Sequence, residues 1–296
     1  MRDKIQMRAL AKINLGLDVL RRREDGYHEV KMIMQTVTLH DELELKRTKE
    51  PGIRVETNLP YLPTNENNLV YKAAKLLKDE FDIRDGLTIR LTKRIPVAAG
   101  MAGGSADGAA VLWGVNQMYG LGLTPEELME RGVRFGADVP YCVMRGTALA
   151  EGIGEKLKPL PSMPRCTILI AKPGINVSTR FVYENLHANE LRPEQHPDVD
   201  AMIEALEQGD LQLLASRMGN VLETVTEPLY PVIGSIKQCM VEKGALGSLM
   251  SGSGPTVFGI FRSRSAARDA SAAIRSAGLA KQVYLVTPYN IHRQQA

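Results

Sequence analysis

Apolar and polar residues alternate with a period of two along several stretches of the chain, and with a period near 3.6 along others. Ile13, Leu15, Leu17 and Val19 alternate against Asn14, Gly16 and Asp18, which predicts an amphipathic strand. An Asp25-Gly26 turn signal and a second alternating run predict a hairpin. Val37, Leu39, Leu43 and Leu45 predict a further strand, with Asp41 among them. After a polar, proline-punctuated loop, Leu69, Ala73, Leu76, Leu77 and Phe81 mark one face of a helix. Leu87, Ile89 and Leu91 alternate against Thr88, Arg90 and Thr92 in a half-buried strand, and the helix behind them ends at Gly120. Thr124-Pro125-Glu126-Glu127 reads as a capped helix start. That helix closes near Gly136, so ADVPYCV sets Asp138 between a helix end and an apolar strand.

Residues 145–158 read as a glycine-rich hairpin, and Pro159, Pro161 and Pro164 follow within six residues. This proline cluster predicts two domains, 1–158 and 159–296. In the second, CTILIA is a strand and Ser178 caps a helix. Helical patterns follow near Asp198–Gln208, Asp210–Met218 and from Pro231 to Lys243. Leu246–Met250 and Thr256–Phe261 are short strands; a helix over Ser265–Ala277 and a strand over Gln282–Val286 complete the set. The class is α/β, with an α+β second half.

Composition narrows the functional classes. With 44% hydrophobic and 24% charged residues, the 296-residue chain has the make-up of a globular protein with ample core. A formal charge of +3, with no basic run, argues against a nucleic-acid partner. No apolar segment reaches membrane-spanning or signal-peptide length, so a cytoplasmic protein without a membrane partner is expected. Cys142, Cys166 and Cys239 are odd in number and widely spaced, as for reduced thiols.

The chemistry centres on Pro96–Ala110, PVAAGMAGGSADGAA, a glycine-rich turn between a strand and a helix. Glycines let a backbone turn sharply, and the first N–H groups of a helix lack intrahelical partners. Together they form a phosphate cradle; the competing reading is a tight turn and nothing more. The spacing matches neither the Walker pattern nor the dinucleotide fingerprint. Outside the turn, Lys12 and Asn14 share the polar face of the first strand, where a solvated lysine is the ordinary outcome. Tyr27 and His28 follow a turn, as many surface residues do, and Asp138 could equally bond its own turn.

Taken together, AKINLGLDVL, DGYHEV, PVAAGMAGGSADGAA, GADVPYC and MSGSGPTVFG resemble, in this order, the GHMP small-molecule kinases. That superfamily includes galactokinase, homoserine kinase and mevalonate kinase. The resemblance runs along essentially the whole chain. It implies a two-domain fold, the N-terminal part like ribosomal S5 domain 2 and the C-terminal part ferredoxin-like. It also implies an ATP-dependent kinase acting on an alcohol. The DGYHE segment favours a small-molecule substrate of cytidine diphosphate methylerythritol type, phosphorylated at its 2-hydroxyl on the non-mevalonate route to isoprenoid precursors. Another kinase of the superfamily, of homoserine or mevalonate kinase type, and a non-catalytic nucleotide-binding paralogue are the alternatives. A monomer or homodimer is expected.

By the same resemblance, ATP lies on Pro96, Val97, Ala98, Ala99, Gly100, Met101, Ala102, Gly103, Gly104, Ser105 and Ala106, with Asn68 and Lys93 near the nucleotide. Lys12 and Asp138 match the catalytic positions; Asn14, Tyr27, His28 and Tyr183 match substrate positions. Asp138 would accept the hydroxyl proton, and Lys12 would steady charge on the transferred phosphate. Mg²⁺ is expected to arrive with ATP, without a dedicated protein ligand. The turn departs from the family pattern in carrying Ala98, Ala99, Met101 and Ala102, with Ala106 in place of a second serine. Alanine there leaves fewer backbone angles open than glycine does.

Overall fold

The computed structural model describes residues 2–291. They form two compact units that interleave along the chain: Leu39–Val97 and Ala102–Met144 with the residues up to Ala11, and Lys12–Thr38 and Ala98–Met101 with the residues from Arg145 onward. The chain therefore passes between these two units several times.

In the first unit the start of β1 (Lys4–Arg22) neighbours the second half of β2 (His28–Thr48). β3 (Ile53–Thr57) is followed by α1 (Leu69–Glu80) and then β4 (Gly86–Thr92). β4 runs antiparallel to β2, with Leu43 opposite Leu91, and parallel to β3. This is the apolar alternation seen in sequence, with Leu43, Leu45, Leu87 and Ile89 all buried. α2 (Gly103–Tyr119) is buried nearly all round, as a helix apolar on every side must be. It packs on α1, α3 (Pro125–Val133) and α4 (Val139–Met144). Gly114 lets α2 approach β2 closely, since a Cβ there would sit 2.8 Å from a Leu45 methyl. Gly120, at φ 65°, ends the helix in the left-handed region, and Thr124 and Glu127 close the capping box of α3.

The second unit takes the other ends of β1 and β2. There β2 pairs antiparallel with β5 (Thr147–Gly152), which pairs in turn with β6 (Lys156–Pro159). A separate four-stranded antiparallel sheet has β7 (Thr167–Lys172) at its centre. After β7 come α5 (Thr179–Glu184), α6 (Val199–Glu207) and α7 (Leu211–Arg217). β8 (Gly219–Asn220) pairs parallel with β1 and leads to α8 (Glu223–Leu229) and α9 (Val232–Glu242). β9 (Gly247–Met250), β10 (Val257–Phe261), α10 (Arg264–Ser276) and β11 (Gln282–Val286) finish the unit. The strand order is β11-β7-β10-β9. α9 and α10 pack against this sheet, whose core is Ile168, Ile170, Phe258 and Ile260.

Three local expectations are corrected. Residues 139–144 are helical, not a strand; Pro140 suits a first helical turn, and the Asp138 carbonyl accepts from the Cys142 N–H at 3.0 Å. A six-residue apolar run has no period long enough to separate the two. The runs on either side of residue 36 are one strand, β2. β3 and α8 stand where neither was expected; β3 is only five residues long and α8 carries Pro228 inside it.

Candidate active site

In the first unit, β4 hands the chain to the glycine-rich turn through Lys93, Arg94 and Ile95. Asp41, completely buried on β2, receives all three: one carboxylate oxygen accepts from the Arg94 and Ile95 backbone N–H groups, and the other pairs with Lys93 Nζ. Lys93 Nζ also donates to Asp107 Oδ2 at 2.7 Å, on the first turns of α2. Burial alone would lower the Lys93 pKa, but the two carboxylates outweigh it and hold the ammonium above its ordinary value. Burial pushes the Asp107 carboxyl well above the usual carboxylate range, against the pull of Lys93 and with Asp41 adding to it.

The turn itself is left-handed at several points. Ala98, Gly100 and Ala102 have φ of 50°, 69° and 53°. Ala102 precedes α2 without a side-chain cap, and the first backbone bond of the helix runs from Ala106 N–H to the Ala102 carbonyl at 2.8 Å. The N–H groups of Gly103, Gly104 and Ser105 thus head a 17-residue helix, where partial positive charge gathers. Ser105 Oγ lies 3.7 Å from where a Cβ on Gly136 would sit, so the turn that carries Asp138 adjoins the start of α2. Asp138 is half-buried. Asn68 caps α1, accepting from Val70 N–H at 3.0 Å and donating to the Pro63 carbonyl at 2.8 Å.

In the second unit, Lys12 and Asn14 are 5% and 0% exposed, so the lysine is not a solvated strand residue. Lys12 Nζ donates to Asn14 Oδ1 at 2.7 Å, and the Lys12 backbone N–H donates to the Met101 carbonyl at 3.2 Å. The same unit brings the serine-glycine turn of residues 251–254 onto the apex of the first turn. Ser251 Oγ donates to the Gly100 carbonyl at 2.9 Å and accepts from the Asn14 N–H at 3.3 Å. Asn220 holds the second turn by donating to the Met250 and Gly252 carbonyls, and Glu223 accepts from the Met250 N–H at 2.8 Å. His28 and Tyr183 meet with ring centroids 5.1 Å apart and planes tilted by 43°. Partial burial, with the nearby Arg22 charge, pulls His28 below its ordinary pKa. Tyr27 is 61% exposed.

The candidates thus gather into two sets. Lys12, Asn14 and residues 100–101 are bonded together, and His28 with Tyr183 forms a ring pair. In the first unit, residues 103–106 adjoin the Asp138 turn, while the polar groups of Lys93 and Asn68 are engaged with protein partners. Sequence reasoning missed Asp41, Asp107, Ser251 and Asn220 as supports of the turns. Asp107 and Ser251 lie inside motifs it had marked; Asp41, an acidic residue in an apolar strand, carried a signal that went unused. Asn220 carried none.

The glycine-rich turn feeds an uncapped helix, and the buried Lys12 bonds through its backbone N–H to the Met101 carbonyl of that turn. The chain belongs to the GHMP kinases: the model of the GHMP kinases N terminal domain matches residues 68–146, and that of the GHMP kinases C terminal matches residues 202–280. Its relatives narrow the class. A 4-diphosphocytidyl-2-C-methyl-D-erythritol kinase of Lachnospira eligens is 57% identical over 95% of this chain and 97% of its own length. One of Alkaliphilus metalliredigens is 47% identical over 97% of each chain. A solved 4-(cytidine 5'-diphospho)-2C-methyl-D-erythritol kinase superposes with a TM-score of 0.79 at 34% identity, over 97% of this chain and all of that one. A homoserine kinase from Cytophaga hutchinsonii reaches the same TM-score of 0.79 at 22% identity, over 98% of this chain and 96% of its own, a likeness of fold.

Proposed function

We propose that the protein transfers the γ-phosphoryl group of ATP to the 2-hydroxyl of 4-diphosphocytidyl-2-C-methyl-D-erythritol. Relatives of that activity at 47–57% identity favour this substrate over the homoserine or mevalonate alternatives. The observation that carries the chemistry is the contact between the start of α2 and the turn bearing Asp138, with Gly136 against Ser105. It brings the backbone two residues before Asp138 beside the Ser105 side chain, which supports a carboxylate acting near the amides that would grip a triphosphate.

In this reading the acceptor oxygen bonds to the γ-phosphorus, the bond to the β,γ-bridging oxygen breaks, and the hydroxyl proton passes to Asp138. The amides of Gly103, Gly104 and Ser105 bind phosphate oxygens, and Lys12 steadies the charge that develops on them. Asn14 fixes Lys12 and lines the acceptor pocket. His28 reads the cytosine edge while Tyr183 stacks on the base, with Tyr27 at the rim; an unmatched base would leave polar groups unpaired. Asn68 and Lys93 act on the nucleotide side. Ser105 Oγ is our candidate to help hold the Mg²⁺ that ATP would carry, which would offset charge on the phosphates. Among the described residues, no group of three or more His, Cys, Asp or Glu is placed to hold a metal.

No helix among the described residues is long and apolar enough to cross a membrane. We place the protein in the cytoplasm, acting on small molecules without nucleic acid, as a monomer or homodimer. We also place the boundary between its two domains at residues 158/159; the matched family regions fall on either side of it. The test is turnover of purified protein with Mg²⁺-ATP and a panel of alcohols: the cytidine diphosphate adduct, homoserine and mevalonate. Phosphate gained by the adduct alone is expected, and preference for either other alcohol would overturn the assignment.

A further inference from the structure

We propose that Asp41, Lys93 and Asp107 form a buried clamp that closes the glycine-rich turn at its base, Lys93 being a positioning residue that acts on ATP through the backbone. The proposal rests on the kinase reading for its ligand, but its geometry stands apart from the reactive groups.

Three observations carry it. The clamp joins both limbs of the turn: Asp41 takes the Arg94 and Ile95 N–H groups on the entering limb, and Lys93 reaches across fourteen positions to Asp107 on the leaving limb. Asn58 adds a pair of bonds to the Lys93 backbone, accepting from its N–H at 2.8 Å and donating to its carbonyl at 3.2 Å. Second, the clamp touches the cradle itself. Lys93 Nζ lies 3.3 Å from where a Cβ on Gly103 would sit, directly behind one of the helix-start amides. Third, the Lys93 and Asp107 side chains are each 4% exposed and that of Asp41 is fully buried, so water gives these bonds little competition.

A cross-link at the base of a loop restricts the conformations the loop explores when empty. A phosphate cradle needs its amides convergent before the anion arrives, because ordering them on binding costs affinity. The clamp supplies that order without meeting the ligand. It is held short of full satisfaction: Asp107 Oδ1 is buried with no hydrogen-bond partner among the described residues. Two acidic side chains share one ammonium, and burial raises the Asp107 pKa well above the usual carboxylate range.

A lysine that touches the nucleotide directly predicts something different, and Asp107→Ala separates the two. Cutting Asp107 leaves the Asp41–Lys93 pair and loosens only the leaving limb. The clamp requires ATP affinity, read by equilibrium titration and as KM for ATP, to fall about tenfold, the scale of one charged hydrogen bond. The KM for the alcohol should stay within twofold, and Asp107→Asn, which keeps an acceptor for Lys93, should recover most of the loss. If Lys93 served ATP directly, Asp107→Ala would free its ammonium and ATP affinity would hold or rise, and the proposal would be overturned. Equal losses for ATP and for the alcohol, or no recovery with Asp107→Asn, would also overturn it. Lys93→Met strands two buried carboxylates and is expected to melt well below the wild type; Asp107→Ala is therefore the decisive variant. A wild-type protein that binds ATP and phosphorylates no alcohol would sink the kinase reading while leaving the clamp open to the same titration.

Discussion

Ser251 Oγ donates to the carbonyl oxygen of Gly100 at 2.9 Å, joining two glycine-rich turns that are 151 residues apart in the chain. The contact leaves no room for a side chain. A Cβ on Gly100 would lie 2.1 Å from the Ser251 carbonyl oxygen, and Gly100 is left-handed at φ 69°. Gly100→Ala should therefore cost about 2–4 kcal/mol, combining overpacking with the left-handed penalty. Ser251→Ala removes two hydrogen bonds, the one to the Gly100 carbonyl and the one from the Asn14 N–H, and should cost about 1–2 kcal/mol, a shift of roughly 2–6 °C in Tm. Thermal melts of both variants check the order, and equal melts would remove the contact from the account.

The alanines of the first turn make the opposite prediction. Ala98 and Ala102 hold φ of 50° and 53° with a Cβ in place. The left-handed region costs a non-glycine residue roughly 1–2 kcal/mol, whereas glycine loses about 0.5–1 kcal/mol through unfolded-state freedom. Ala98→Gly and Ala102→Gly should each leave stability unchanged or raise it by up to ~1 kcal/mol. Ala106→Gly, at a helical and buried position, should lower it by about 1 kcal/mol. Denaturant titration of the three variants reads the signs; a clear loss at position 98 or 102 would contradict the backbone geometry.

These cases show which parts of the site the sequence could disclose. β4, with its strict alternation, was placed to within a residue, because burying one face fixes its register. The capping box at Thr124 and the left-handed glycine at 120 marked helix ends through local chemistry. The short helix at 139–144 stayed hidden because packing, not periodicity, decides so brief an apolar run. The motifs marked the residues proposed to meet ligands. The groups that hold them in place were harder to read: Asp41 showed only as an acidic residue in an apolar strand, and Asn220, which bonds backbone brought near by the fold, left no local pattern.

Asp138 is half-buried on the turn behind the start of α2, and its backbone carbonyl caps α4. Removing its carboxylate spares that backbone bond, so Asp138→Asn and Asp138→Ala should fold. A lost proton acceptor should lower kcat by ~10²–10⁴-fold, with KM for ATP within a few-fold of wild type. Steady-state kinetics with both substrates varied decides it. Unchanged kcat in a folded Asp138→Ala would end the assignment of this residue as base.

His28 gives a pH signature of known sign. Partial burial first, and the Arg22 charge second, hold its pKa below the ordinary 6.5. The unfolded chain therefore binds more protons than the folded one as pH falls through 6.5. Any stability His28 lends is present above that value and lost on acidification toward its lowered pKa. The same shift keeps the imidazole neutral at pH 7, able to accept one hydrogen bond and donate another to a cytosine edge beside Tyr183. KM for the cytidine substrate should be flat from pH 7 to 8 and should rise as acidification charges the ring. The substrate's own phosphates titrate in acid too, so His28→Gln is the needed comparison. That variant should show a higher KM at neutral pH and lose the component of the acid rise that belongs to the ring. Parallel profiles for wild type and His28→Gln would show that the base is read by some other group.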